Sequence, residues 1–260
     1  MAELAEVAAA RAPRGLTADL VELKRIAIVP ALNEEETIGR VIDEIRAFDP
    51  GFDIVVVDDG STDRTAGIAA DRGAHVLRLP FNLGIGGAMQ TGFRFAFEGG
   101  YDIAVQIDGD GQHEPRQLPT ILGPLVAGEA DMVVGSRFAG RAGYRSSFTR
   151  RLGIRLFARV VSAVVRQRVT DTTSGFRAVN RRGIALFAAD YPHDYPEVEA
   201  TIMCVKHKLR LMEVAAEMRE RSGGRSSITA LRSIYYMTKV LLAIFVGLFR
   251  RYAVPEEDHR

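Results

Sequence analysis

The feature that most constrains this chain is an alternation. Five apolar runs of strand length recur along its first half: Arg25-Ile26-Ala27-Ile28-Val29, Asp53-Ile54-Val55-Val56-Val57, His75-Val76-Leu77-Arg78-Leu79, Ile103-Ala104-Val105-Gln106-Ile107 and Asp131-Met132-Val133-Val134. Between them lie segments with helical spacing, such as Ile38, Val41, Ile42 and Ile45. Asn33, with Glu36 three positions on, reads as a capping box opening the first helix. Further helices are expected at about 62–72, 86–98 and 115–127. Strands that are apolar throughout are covered on both faces, and strands alternating with helices imply a mostly parallel α/β sheet. The rhythm occupies residues 24–136, the expected donor half of one domain over 24–228, with 137–228 as its acceptor half. Residues 1–23 read as a mobile tail and 229–260 as a C-terminal helix and tail.

In such sheets ligands bind beyond the carboxyl ends of the strands. Three of those ends are acidic: Pro30-Ala31-Leu32-Asn33-Glu34, Asp58-Asp59-Gly60-Ser61 and Asp108-Gly109-Asp110-Gly111-Gln112-His113. Like charges collected on one edge call for a cation or a polar ligand. Gly109 permits a tight turn that lets Asp108 and Asp110 face one ion, and Gln112 adds a neutral oxygen at the next alternate position. Hard cations such as Mg²⁺ or Mn²⁺ take few carboxylates and complete their shell with substrate phosphates. A carboxylate at Asp58 or Asp59 can accept from a base N–H or a ribose hydroxyl.

Gly84-Ile85-Gly86-Gly87-Ala88-Met89 does not complete a dinucleotide fingerprint, because Met89 stands where the third glycine belongs. Its glycines suit close approach of backbone to a ligand or to a neighbouring element. The Gly-Lys-Ser/Thr phosphate loop is also absent. One cysteine, Cys204, excludes an internal disulfide framework and a Cys-rich zinc site, and suits a reducing compartment. The N-terminus lacks the basic start and apolar run of a secretory signal.

Six segments in one order carry a resemblance: Val29-Pro30-Ala31-Leu32-Asn33-Glu34-Glu35, Val57-Asp58-Asp59-Gly60-Ser61-Thr62-Asp63, Asn82-Leu83-Gly84, Asp108-Gly109-Asp110-Gly111-Gln112-His113, Gly135-Ser136-Arg137 and Ser174-Gly175-Phe176-Arg177. Together, over about residues 25–228, they resemble the family 2 glycosyltransferases of GT-A fold, and within them the dolichyl- or polyprenyl-phosphate sugar synthases. The resemblance implies an inverting enzyme that uses a UDP- or GDP-sugar donor and a divalent metal. It implies that Pro30, Ala31, Leu32, Glu34, Asp58, Asp59, Gly84, Gly86, Asp108 and Gly109 line the donor site. Asp108 would face donor ribose or sugar, with Asp110 and Gln112 holding the metal, Mg²⁺ or Mn²⁺. It makes Arg137, Arg151, Ser174, Arg177, Arg221 and Arg225 candidates for the acceptor phosphate. A chain without Trp cannot carry the Gln-x-x-Arg-Trp pattern of processive synthases, which points away from a polymerising enzyme. A phosphate acceptor is already ionised and needs no strong base. A hydroxyl acceptor, the alternative in a soluble enzyme of the family, would need one, with Asp171, Glu197 and Glu199 the places to look.

The net charge of +1 conceals an asymmetry. From Met132 to Thr170 there are nine Arg and no acidic residue, a charge of +9 that leaves −8 for the rest. Arg151, Arg155, Arg159, Ser162 and Arg166 share a helical face beside an apolar stripe, a pattern suited to an anionic membrane surface. Val240 to Phe249 is apolar but too short to span a bilayer, and reads as an interfacial helix or a contact between copies of the chain. These features predict a peripheral enzyme on the cytoplasmic side of the plasma membrane. The near-zero total charge and acidic strand ends weigh against nucleic-acid binding.

Overall fold

The protein is described here as a computed structural model, over residues 23–139, 158–193 and 195–219. One seven-stranded sheet forms its centre. Its strands are β1 (Arg25–Ala31), β2 (Phe52–Asp58), β3 (His75–Arg78), β4 (Ile103–Gln106), β5 (Met132–Ser136), β6 (Arg177–Asn180) and β7 (Leu211–Ala215). Six α-helices connect them: α1 (Ile38–Phe48), α2 (Thr65–Asp71), α3 (Gly84–Glu98), α4 (Leu118–Val126), α5 (Arg181–Ala189) and α6 (Pro196–Lys206). Residues 158–165 are also helical.

The strand order is β3-β2-β1-β4-β6-β5-β7. The β3, β2, β1 and β4 pairings are parallel, and so is β5 with β7; β6 runs antiparallel to both its neighbours. Successive side chains of a strand point to opposite faces. Accordingly Ile26, Ile28, Val55 and Val57 pack with Met89 and Phe93 of α3 and Phe187 of α5. Ala27, Val29, Ile54 and Val56 pack on the other face with Val41, Ile42 and Ile45 of α1 and Leu122 of α4. Both faces are covered, as the apolar runs require.

The expected Asn33 cap is not formed, and the second helix starts later than expected. Helix α1 starts at Ile38, and its cap position, Thr37, makes no side-chain cap bond. Asn33 instead takes φ +54°, and its side-chain oxygen accepts from Thr62 N–H at 2.9 Å. Helix α2 starts at Thr65, three residues beyond Thr62. Hydroxyl side chains likewise tie the β1–α1 loop to the β2–α2 connection: Asn33 N–H donates to Ser61 Oγ, and Glu34 N–H to Thr65 Oγ1.

The antiparallel strand matters for function. Gln106, the last residue of β4, pairs with Arg177, the first of β6. The Ser174–Phe176 segment therefore enters the sheet at the edge where β1, β2 and β4 end.

Candidate active site

The Asp108–His113 turn follows β4 directly. Gln106 Nε2 donates to Asp108 Oδ1 at 3.1 Å, and the Asp108 N–H donates to His113 Nδ1 at 3.0 Å. His113 Nε2 lies 3.5 Å from Asp108 Oδ2, and its buried ring stacks on Phe176 with centroids 4.9 Å apart. One imidazole thus orients both the backbone and the carboxylate of Asp108. Gly111 has φ +76°, where a side chain would be strained and would also meet the Arg40 guanidinium. Beyond it, Gln112 donates to both oxygens of Asp110, from its backbone at 3.0 Å and its amide at 2.9 Å.

Asp108, Gly109 and Asp110 line a cleft of about 120 Å³ with Pro30, Glu34, Ile85, Gln106 and Glu197. Two predicted donor residues, Pro30 and Glu34, thus meet the acidic turn. Four carboxylates converge here, and one of them is unusual: burial pushes the Glu197 carboxyl upward, only partly offset by the Arg177 guanidinium. A larger groove of about 550 Å³ runs along α1 and α2 from Glu35 to Arg72 and reaches none of Asp58, Asp108 or Asp110.

The Asp58-Asp59 pair is engaged within the fold. Asp58 is fully buried; its carboxylate accepts from Ser61 N–H at 3.0 Å and pairs with Arg78 at 3.2 Å. Asp59 accepts from Leu83 N–H at 2.7 Å and Gly84 N–H at 2.9 Å. The two carboxylates hold the loops after β2 and β3 in place, and the Asp59 N–H, donating to the Ala31 carbonyl at 2.9 Å, ties the turn to the end of β1. Leu32, Phe81 and Leu83 stand exposed on those loops at 39%, 63% and 45%. Ala31 is buried at the end of β1. Gly84 opens α3 with φ +80°. At Gly86 an added Cβ would lie 2.4 Å from the Pro192 carbonyl oxygen, so this glycine serves the packing of α3 on residues 192–193.

Asp110 and Gln112 could hold a divalent cation. The donor set is hard oxygen, and the surrounding negative charge favours it. Rotating the Gln112 amide would turn its oxygen toward the ion position. Among the described residues no group of three or more His, Cys, Asp or Glu is arranged to hold a metal. Two protein oxygens leave the rest of a hard cation's shell to other ligands, such as substrate phosphates.

The family described as Glycosyl transferase family 2 matches residues 26–186. The chain belongs to glycosyl transferase family 2. An undecaprenyl-phosphate mannosyltransferase of Micrococcus luteus is 33% identical over 219 residues, covering 80% of this chain and 88% of the relative. A polyprenol monophosphomannose synthase of Mycolicibacterium smegmatis is 30% identical over 228 residues, covering 84% and 85%. Among solved structures, glucosyl-3-phosphoglycerate synthase of Mycobacterium tuberculosis, in complex with Mn²⁺, UDP and glucosyl-3-phosphoglycerate, is similar with TM-score 0.66 and 26% identity. That match covers 93% of this chain and 84% of the other. The protein is a glycosyltransferase of GT-A fold.

In this glycosyltransferase the expected acceptor residues are spread across different environments. Arg137 N–H and its guanidinium donate to Asp171 at 2.7–3.1 Å, and the guanidinium also reaches Thr173 Oγ1 at 2.7 Å. Burial opposes the charge on Asp171, yet Arg137 holds its carboxyl below the usual carboxylate range. Asp171 is thus held as the ion-pair partner of Arg137. Ser174 is buried, with its hydroxyl donating to the Gly135 carbonyl. Arg177 is buried too; its guanidinium donates to the carbonyls of Ser174 and Glu197. In this arrangement Arg177 anchors the start of α6 and so places Glu197, with its guanidinium turned to these carbonyls. Arg151, Arg221, Arg225 and the C-terminal apolar helix lie outside the described residues.

Sequence reasoning left His113 without a role and Glu197 only as one of three possible bases. The signal for His113 was its place five residues after Asp108. For Glu197 it was Pro196, which fixes the start of a helix and with it the residue that follows.

Proposed function

We propose that this glycosyltransferase moves a sugar from a nucleotide-diphosphate sugar to a polyprenyl phosphate, with a divalent cation at Asp110 and Gln112. The observation that carries the reading is the convergence of Glu34, Asp108, Asp110 and Glu197 on one cleft at the carboxyl ends of β1 and β4. The names of the Micrococcus and Mycolicibacterium relatives support the lipid phosphate acceptor, and the Mn²⁺ and UDP of the Mycobacterium structure support the metal and the donor class.

The nucleotide would lie over the Pro30–Glu34 loop, which the Asp58-Asp59 turn holds in position. Asp108, fixed by Gln106 and His113, would accept from a hydroxyl of the donor ribose or sugar. Asp110, with the Gln112 amide oxygen, would hold the cation beside the diphosphate. The cation would supply charge neutralisation for the departing nucleoside diphosphate. Displacement then inverts the anomeric centre, with the attacking phosphate oxygen entering opposite the nucleotide. Arg137, Arg151, Arg221 and Arg225 are the proposed contacts for the acceptor phosphate. The exposed arginines Arg159, at the start of the 158–165 helix, and Arg166 and Arg168, beyond its end, would meet an anionic membrane surface. Among the described residues no helix is long and apolar enough to cross a membrane.

The test offers the purified enzyme UDP-glucose, UDP-GlcNAc, UDP-galactose or GDP-mannose, with polyprenyl phosphate and Mn²⁺ or Mg²⁺. Lipid-linked sugar should form and should fall at least ~10³-fold in Asp110→Ala, since metal stabilisation is worth several kcal/mol. Product unaffected by EDTA and by Asp110→Ala would refute the metal assignment. A second reading, a hydroxyl acceptor, is favoured by Glu197, whose raised carboxyl faces the cleft. It predicts that Glu197→Gln costs about 10²–10⁴-fold and removes the acid limb of the rate profile. On the phosphate reading that limb survives the substitution.

A further inference from the structure

The Asp108–His113 turn is braced from two directions. From α1, Thr37 Oγ1 donates to the Gly109 carbonyl at 2.7 Å. From the far side comes Arg219, just beyond β7, a residue that neither the motifs nor the cleft includes. Its backbone N–H donates to the Gln112 carbonyl at 2.9 Å, and its neighbour Met218 forms an antiparallel bridge with His113. Its guanidinium spreads over two carboxylates. Nε and Nη2 each lie 2.6 Å from Glu114 Oε2, and Nη1 lies 2.9 and 2.7 Å from the two oxygens of Glu44 on α1. The group is partly shielded, with Arg219 33%, Glu44 30% and Glu114 20% exposed.

The geometry points to Arg219 as a positioning residue for the Asp110–Gln112 cation corner. The argument follows from which atoms are tied. Gln112 bonds Asp110 with its N–H and amide, and its carbonyl is the acceptor of Arg219. Glu114, two residues on, is held by the same guanidinium, and Glu44 fixes that guanidinium to α1. A planar fork can satisfy both carboxylates at once, whereas an ammonium supplies only a point charge. Without the fork, the 112–114 segment keeps its β-bridge but loses its link to α1. The Gln112 oxygen and the Asp110 carboxylate are then no longer presented together. Groups that orient metal ligands without touching the metal typically govern affinity by about 10–100-fold.

This inference rests on the metal reading above, and the experiment separates the two. Binding of UDP and of GDP to the full chain is measured by calorimetry with and without Mn²⁺. In the wild type Mn²⁺ should tighten binding of one nucleotide. In Arg219→Gln that enhancement should shrink about tenfold or more, while metal-free affinity stays within about twofold. Arg219→Lys should recover part of the loss, and Glu44→Gln, which removes one arm and leaves Glu114 paired, should fall between. A merely structural role would lower metal-free and metal-assisted binding together. Equal enhancement in wild type, Arg219→Gln and Glu44→Gln overturns the positioning role and leaves the metal reading intact. No enhancement for either nucleotide in the wild type overturns both.

Discussion

Asp108 and Asp110 stand two residues apart and are held in different ways. Asp108 is gripped from inside the fold, by Gln106 and by the buried His113. Asp110 is met by Gln112, a partner on the same turn. The inner aspartate is thereby preorganised, and the outer one can exchange the Gln112 N–H groups for a cation. His113→Ala should therefore slow transfer by about 10–100-fold, the usual cost of removing an orienting partner, with the cofactor metal still bound. His113→Asn, whose amide can still accept from Asp108 N–H, should lose less. Steady-state rates with saturating donor and Mn²⁺ check this. The Asp-x-Asp pair was legible because acidic residues after a buried strand demand a counter-charge. The roles of Asp58, Asp59 and Arg177 were not, because a carboxylate spent on loop N–H groups and a guanidinium spent on buried carbonyls look the same in sequence as exposed ones.

At the scale of elements, the first five strands were legible and the last two, β6 and β7, were not. β1, β2 and β4 are covered on both faces, so burial alone writes their apolar runs. β6 is four residues long and begins with a buried Arg, and β7 carries Glu213, which accepts from Thr170 and Asp171. Neither shows a clean period. Asn180 ends β6 and caps α5, accepting from Arg182 and Gly183 N–H while its amide donates to Asp131. Asn180→Ala should cost about 1–2 kcal/mol, read as a drop of several degrees in Tm. The Arg137–Asp171 pair predicts a pH effect. Because Arg137 holds the Asp171 carboxyl below its ordinary value of 3.8, the pair stabilises the fold above that pH and the contribution fades as pH falls below it. Arg137→Ala leaves a buried carboxylate uncompensated and should cost about 3–5 kcal/mol near neutral pH. The Tm gap to wild type should then narrow as pH falls, because burial, no longer offset by Arg137, raises the orphaned carboxyl and lets it take up its proton. A gap that holds constant as pH falls would show that Arg137 acts through packing alone.

At the scale of the molecule, charge is divided as the sheet divides it. The acidic ends of β1 and β4 meet at one cleft, while the Met132–Thr170 segment carries nine Arg. Arg137 is satisfied internally by Asp171, but Arg159, Arg166 and Arg168 are exposed to solvent. A cleft that repels anions and a basic segment that attracts them suit a reaction in which the lipid phosphate arrives from an anionic surface. Each Arg near such a surface contributes about 1 kcal/mol, so three should change the binding constant about a hundredfold. Flotation with phosphatidylserine or phosphatidylglycerol vesicles measures it. The wild type should co-float at about 0.1 M salt and dissociate as salt rises and the Debye length shortens. The triple variant Arg159→Gln, Arg166→Gln, Arg168→Gln should bind about a hundredfold more weakly, yet keep its metal-assisted nucleotide affinity, because these residues lie outside the cleft. Equal flotation of the two proteins, or binding indifferent to salt, would show that the segment meets the membrane through apolar contacts or not at all. Nucleotide affinity falling together with flotation would show that the basic segment and the donor cleft act as one site.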